Sequence, residues 1–232
     1  MTVGMREDCS SGANTASGGE PLCLKHDALG TTRLVRRGGA PFIERDTRGA
    51  HPAVRWLARR LAAREVAALT ALHRVPAVPR VLDFDGAVVR RSYLPGVPLY
   101  EAPPQSRAYF IDALRVLRRM HRAGVAHNDL AKEANWLVAP GDAAGIVDFQ
   151  LATYSPARSN RFRRRAYEDL RHLLKHKRTY QPDGLTARQK RVLTRPTFGT
   201  RLWRSVVKPI YRRITRGLLG WPERSGPSER RG

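Results

Sequence analysis

The stretch that most constrains the fold is "NWLVAPGDAAGIVDF", from Asn135 to Phe149. Two apolar runs, "NWLVA" and "AGIVDF", flank a Pro-Gly-Asp sequence of turn-forming residues. Such a pattern predicts an antiparallel hairpin, and its closure sets the residues at its open end side by side. Asn135 and Asp148 stand equally far from the Gly141-Asp142 junction. A hairpin closing there brings an amide oxygen and a carboxylate together, and both are hard donors suited to Mg²⁺. Asp129 precedes this hairpin in the loop that feeds it, where it can reach past a metal to a nucleophile.

The rest of the chain reads as two compositions. "PLCLKHDALGTTRLVRRGGAPFIERDT" alternates short apolar runs with glycines and predicts three successive antiparallel strands. "HPAVRWLARRLAAREVAALTALHR" predicts a helix opening near Pro52, with Leu57, Leu61, Ala68 and Leu72 on its apolar stripe. Glu65 falls on the same stripe. A carboxylate facing a core needs a cation, and Arg45 in the preceding "FIERD" strand is the nearest plausible donor. A second hairpin is expected to turn at Asp85-Gly86, and "LPGVP" reads as a stiff boundary before a helix-rich half. There "RAYFIDALRVLRRMHRAG" predicts an amphipathic helix with Phe110, Leu114, Leu117 and His121 on one face and Gly124 as its stop. "YEDLRHLLKHKRTY" and "LTARQKRVL" are also expected to be helical, the second opened by a capping box of Thr186 and Gln189.

With 232 residues the chain can build one sizeable core or two small lobes sharing a cleft. Residues 1–20 are rich in Ser, Gly and Ala without periodicity and are expected to form a flexible leader. No apolar run reaches membrane-spanning length, and Cys9 and Cys23 form no metal spacing, so a reducing cytoplasm is the simplest setting. The formal net charge is +23, most of it carried after Arg158. A solvated arginine-rich surface accounts for this, and attraction to anionic lipid, nucleic acid or a phosphorylated substrate is the functional alternative. "RFRRR" at Arg161–Arg165 reads as a solvated run or as a contact for an anionic substrate. His172 and His176 are helical neighbours, but Leu173 stands where a zinc protease motif needs Glu, so they are expected to pack or to face phosphate. Near the end, Trp203, Val206, Ile210, Ile214 and Leu218 form a stripe against Arg204, Lys208, Arg212 and Arg216, interrupted by Pro209. That pattern predicts a helix that packs on the body or lies on an anionic membrane surface.

A loop Asp followed by an Asn and then a metal-binding Asp is the parts list of phosphoryl transfer. "HNDLAKEANWLV…IVDFQLA" resembles the catalytic and metal-binding loops of small bacterial protein-kinase-like proteins related to RIO-type atypical kinases and lipopolysaccharide core sugar kinases. The resemblance spans roughly Leu22 to Tyr180 and is strongest at His127–Asn135 and Val147–Gln150. It implies that Asp129 is the catalytic Asp, with His127 the structural His of the loop and Lys132 in the same catalytic set. It implies that Asn135 and Asp148 hold Mg²⁺, and that Glu65 is the small-lobe helix glutamate paired with Arg45. "DALGTTRLV" would be a reduced phosphate-covering loop around Gly30. Four departures stand out. Arg45 occupies a position where kinases have Lys, with Lys25 an alternative basic residue. Asn128 replaces the loop Arg. The Asp129-to-Asn135 spacing is one residue longer than the common pattern, and Gln150 replaces a Gly.

The expected fold is α+β, kinase-like and two-lobed. Residues 21–99 would be a small antiparallel-sheet lobe, 100–199 a mostly helical large lobe, and 200–232 a basic helix and tail. The expected function is ATP- and Mg²⁺-dependent transfer of a γ-phosphoryl group to a protein Ser/Thr or to a sugar of a lipopolysaccharide-type acceptor, in the cytoplasm or peripheral at the inner face of its membrane. The alternative is a pseudokinase scaffold that binds nucleotide or a partner. Nucleic acid is not an expected partner, because no aromatic-interleaved base-reading module is present.

Overall fold

A computed structural model describes residues 21–36 and 39–194. The leader expected over 1–20 and the helix expected near the C-terminus, with Trp203, Val206 and Ile210, lie outside the described residues.

Five strands build one antiparallel sheet: β1 (Leu22–Asp27), β2 (Gly30–Val35), β3 (Phe42–Asp46), β4 (Val81–Phe84) and β5 (Val88–Ser92), in the order β1-β2-β3-β5-β4. The three strands expected before residue 47 are all there, and so is the hairpin at Asp85-Gly86. Gly86 takes φ +89, and the Asp85 carboxylate accepts from the N–H groups of Ala87 and Val88. The period-two rule decides what each face carries. Ile43 and Arg45 are buried and pair across to Arg91 and Val89, so all four share one face. Glu44 is on the other face, where Arg90 bridges it at 2.9 Å and Asp83 at 2.7 Å.

The helix α1 (Arg55–Ala71) follows a single 3-10 turn at Pro52–Val54, which the His51 ring caps by accepting from the Ala53 N–H. Ala58, Leu61, Ala62, Ala68 and Leu69 face inward, and Glu65 is buried among them. The chain then passes into a helical part. There β6 (Val97–Pro98), β8 (Trp136–Ala139) and β9 (Ala143–Ile146) form a three-stranded sheet, and β7 (Val125–Ala126) pairs with β10 (Thr153–Tyr154). Three helices complete it: α2 (Ala108–Arg122), α3 (Asn160–Tyr180) and α4 (Ala187–Thr194). One apolar cluster joins the end of α1 (Leu69, Leu72) to α2, Trp136, Ile146, Phe149 and Leu173 of α3.

Three expectations shift. On α2 the deepest face is Tyr109, Ala113 and Met120 beside Phe110 and Leu117, while Leu114 and His121 lie at its edge. The apolar arc is wide, and β9 and α3 cover it from two sides. Helix α3 begins at Asn160, well before the expected start, so "RFRRR" is helical. Ser159 caps it by accepting from the Phe162 N–H, and buried Phe162 packs edge-on to the His121 ring, which anchors an otherwise charged turn. The third shift is the register of the β8–β9 hairpin. Ala139 pairs with Ala143 around a three-residue turn, so Asn135 lies opposite Val147 and not Asp148. Gly141 and Asp142 both take positive φ, and this centres the turn on Gly141 itself. The stop at Gly124 and the Thr186/Gln189 capping box form as expected, the latter with both reciprocal bonds (3.1 and 3.2 Å). A Cβ at Gly124 would sit 2.7 Å from the Ser155 carbonyl oxygen, so only glycine lets β10's exit pass so close.

Candidate active site

The loop from His127 to Asn135 is held from beneath by one buried carboxylate. Asp169 of α3 accepts from the His127 N–H (2.8 Å), the Asn128 N–H (3.0 Å) and His121 Nε2 (3.2 Å). Two backbone donors that no ladder can use are thereby satisfied. His127 is buried and edge-on to Phe149. The Asp129 N–H donates to its Nδ1, which assigns the ring hydrogen to Nε2, and Nε2 donates to the Val147 carbonyl at 2.9 Å. His127 thus ties this loop to the turn carrying Asp148. Asn128 takes φ +69, a conformation Asn tolerates better than most side chains. Its amide donates to the Leu151 carbonyl (2.7 Å) and to Thr153 Oγ1 (2.9 Å).

On this frame the polar groups meet. Lys132 Nζ is 2.7 Å from Asp129 Oδ2, and Asn135 Nδ2 donates to the same oxygen at 3.2 Å and to the Asp129 carbonyl at 2.9 Å. Burial raises the Asp129 pKa above the ordinary carboxylate range, and the charge of Asp148 adds to this; Lys132 and His127 offset it only in part. A carboxylate with raised basicity, steadied by a lysine, can orient a hydroxyl and take its proton. Because the Asn135 N–H₂ is spent on Asp129, its carbonyl oxygen is left to act as an acceptor.

Asp148 stands at the end of the hairpin in the left-handed conformation (φ +67). That twist compensates for the register difference, turning the chain at the residue after the last pair. Burial works to raise its pKa, but the fields of Lys132, Arg91, His127 and Arg45 outweigh burial and hold it below the usual value. No hydrogen bond or ion pair from a described residue engages this carboxylate directly. An ionised oxygen pair and an amide oxygen on the same hairpin fit a hard divalent cation.

Glu65 is fully buried and receives two cations. Arg45 Nη1 lies 3.3 Å from Oε2, as the helical stripe led us to expect, and Arg91 of β5 is in close contact with Oε1. Burial lowers the Arg45 pKa, with the Asp148 charge opposing, and takes Arg91 to about 10. Lys25, the alternative cation, pairs with Asp27 at 2.9 Å on the sheet edge instead. Gly30 is buried beneath the β1–β2 turn, and a Cβ there would stand 2.1 Å from the Asp46 carbonyl oxygen. Close packing on β3 is therefore enough to demand this glycine.

Asp169, Arg91, Glu133 and Tyr180 were not singled out from the sequence. Asp169 carried the same signal as Glu65: it sits among Phe162, Leu173 and His176 on the buried stripe of α3, an acid where an apolar residue is expected. Arg91 is one of two adjacent arginines on a hairpin, and the sequence does not mark which of them turns inward. Glu133 and His176 form a buried support for the loop. Tyr180 donates to Glu133 Oε2 (2.7 Å), while His176 Nε2 and the Trp136 indole both donate to the Leu130 carbonyl (2.8 and 3.2 Å). His176 is thus packed under the loop. Among the described residues no group of three or more His, Cys, Asp and Glu has metal-binding geometry; His176 is buried and His172 half-buried.

No protein-family model matches the chain, and no curated protein matches it either. A solved structure does: the Rio2 kinase from Chaetomium thermophilum superposes with a TM-score of 0.54 over 77% of this chain and 71% of that one, at 14% identity. The fold is protein-kinase-like. At this identity the likeness is one of fold alone. Among the described residues, no helix is long and apolar enough to cross a membrane.

Proposed function

We propose that this chain is a two-lobed, ATP- and Mg²⁺-dependent kinase that transfers the γ-phosphoryl group to a hydroxyl. The acceptor in this reading is a protein Ser/Thr or a sugar of an envelope glycolipid. Residues 21–99 form the small lobe and 100–199 the large one, with nucleotide in the cleft between. The observation that carries the reading is the single hydrogen-bonded group of Asp129, Lys132 and Asn135 beside an Asp148 carboxylate kept ionised by surrounding cations.

Asn135 Oδ1 and Asp148 are the residues that would hold Mg²⁺. When bound, the ion neutralises the nucleotide's phosphate oxygens. Asp129 orients the acceptor hydroxyl and accepts its proton, and its burial makes it a stronger base than a surface Asp. Lys132 balances the Asp129 charge until that proton arrives. His127 keeps the Asp129 loop and the Asp148 turn in fixed relation, so both groups are positioned before substrate binds.

A second reading, a nucleotide- or partner-binding scaffold, is favoured by one observation. Among the described residues two arginines, and no lysine, serve Glu65, and Arg is not interchangeable with Lys at a phosphate site. The test is labelled-ATP turnover beside a nucleotide-binding isotherm for wild type, Asp129→Ala and Asp148→Asn. The kinase reading expects Asp148→Asn to lose Mg²⁺-dependent nucleotide binding. It expects Asp129→Ala to bind nucleotide but to turn over roughly 10²–10⁴-fold more slowly. Wild type that binds nucleotide yet phosphorylates neither proteins nor glycolipids would transfer support to the scaffold reading, and wild type that binds none would end the kinase reading and a nucleotide-binding scaffold, leaving only a partner-binding one.

A further inference from the structure

Three arginines gather where α1, α3 and the segment after Asp148 meet. Arg60 and Arg64 lie one turn apart on the exposed side of α1, and Arg165 comes from α3. Arg64 Nη2 donates to the carbonyl oxygens of Leu151 and Ala152, both at 3.1 Å. Arg165 Nη1 donates to Thr153 Oγ1 at 2.6 Å, and Asn128 Nδ2 reaches the same hydroxyl at 2.9 Å. Burial first, then the fields of Arg165 and Arg60, lowers the Arg64 pKa, so Arg64 stands in the field of both other charges.

Some arginines of this protein find carboxylates, Arg48 with Asp85, Arg90 with Glu44 and Asp83, and Arg171 with Glu168, but with 43 Lys and Arg against 20 Asp and Glu many cannot. Among the described residues no carboxylate pairs with Arg60, Arg64 or Arg165. Like charges brought together repel, and among the described residues no carboxylate offsets that repulsion here. Two of the three are moreover fixed by neutral acceptors on one short segment, so little side-chain freedom is left to lose on binding. A carboxylate satisfies one guanidinium fork; a phosphate group, with more oxygens and up to two charges, can engage several.

We propose that Arg60, Arg64 and Arg165 form a phosphate-binding site distinct from the nucleotide's phosphates. Asn128, which shares the Thr153 hydroxyl with Arg165, sets the site against the loop that carries Asp129. If Asp129 serves the acceptor, as proposed above, the phosphate is a monoester already present on that acceptor, and the enzyme prefers substrates that carry one. That last step rests on the kinase reading; the binding site does not. Free inorganic phosphate acting as an effector is the other source of the same chemistry.

The test is a thermal-shift titration of the full chain with inorganic phosphate and with glycerol 2-phosphate, against chloride at equal ionic strength. A saturating non-hydrolysable ATP analogue with Mg²⁺ is present to fill the cleft. The variants are Arg60→Gln/Arg165→Gln and Arg60→Gln alone, since Arg60 makes no hydrogen bond or ion pair among the described residues and its loss leaves the packing intact. Both phosphate compounds are expected to raise the melting temperature beyond chloride, with at least tenfold weaker binding in the double variant and a smaller loss in the single one. Equal response to both compounds assigns the site to a phosphomonoester on the acceptor; response to inorganic phosphate alone assigns it to a free anion. No shift beyond chloride, or a shift that both variants retain, overturns the proposal. An absent response to the ATP analogue would count against the kinase reading, while the phosphate arm would still report on this site.

Discussion

At the scale of single residues, burial decides which ion pairs matter. Glu65 is fully buried with Arg45 and Arg91 against it, whereas Arg90 joins Glu44 and Asp83 at a partly exposed surface. Removing one partner of a buried pair strands the other and costs about 3–5 kcal/mol. A surface pair is worth about 1 kcal/mol or less. Glu65→Ala is therefore expected to lower the urea midpoint far more than Arg90→Ala, and equal losses would refute the buried triad. A second expectation concerns pH. Burial, then Lys175 and His176, takes the His172 pKa from 6.5 down to about 3, with Asp169 opposing. Its folded pKa lies below its unfolded one, so its contribution is present above pH 6.5 and is lost as the pH falls from there toward 3. One proton gives a slope of about 1.4 kcal/mol per pH unit. His172→Gln should flatten the stability curve between these limits, and an unchanged slope would remove His172 from the account. Glu65 and Arg45 were legible because a carboxylate on an apolar helical stripe demands a cation and the neighbouring strand offered one. Arg91 was not, because the pairing of β3 with β5 that brings it to Glu65 leaves no local trace in "VVRRS".

Among elements, α3 does what the sequence alone did not assign to it. Its Asp169 holds the backbone at His127 and Asn128, so the loop carrying Asp129 is shaped by a helix some forty residues later. Replacement by Ala leaves two buried N–H groups without acceptors, each costing roughly 1–3 kcal/mol. Asp169→Asn keeps one acceptor oxygen and turns an N–H₂ toward the other donor. The expected result is a loss of stability in the order wild type, Asn, Ala and, under the proposed kinase function, little change in nucleotide affinity with turnover reduced in both variants, read by denaturation, binding and labelled ATP in parallel. Full turnover in Asp169→Ala would show that the loop holds its shape unaided. The hairpin teaches the complementary lesson. Its existence followed from two apolar runs around Pro-Gly-Asp, but its register did not, because one residue more or less in the turn is decided by which residue takes positive φ. The symmetric pairing of Asn135 with Asp148 was therefore an incorrect premise. Both still lie at the open end because Asp148's own left-handed twist re-aims the chain after Val147.

For the molecule as a whole, charge is the property that composition states most plainly. The formal net charge is +23, and charge of one sign on a compact body opposes folding through self-repulsion. Added salt has two opposite effects: it screens that repulsion and it screens the attractive surface pairs. The pairs Arg48–Asp85, Arg90–Asp83 and Lys25–Asp27 are partly exposed and contribute little. The triad at Glu65 and the Asp169 contacts are buried and hardly screened. Repulsion should therefore dominate. The Debye length falls from about 30 Å at 0.01 M to about 8 Å at 0.15 M, so long-range repulsion across a domain is largely removed over that range while contacts of 3–4 Å survive. The melting temperature should rise as sodium chloride is raised from about 0.01 to 0.15 M and then level off. Chloride is the right probe because sulfate or phosphate would add specific anion binding at Arg60, Arg64 and Arg165 to the screening. A melting temperature that falls with chloride would mean that attractive surface pairs outweigh the net charge, and the exposed arginines would then be partners in a network and not an unpaired excess.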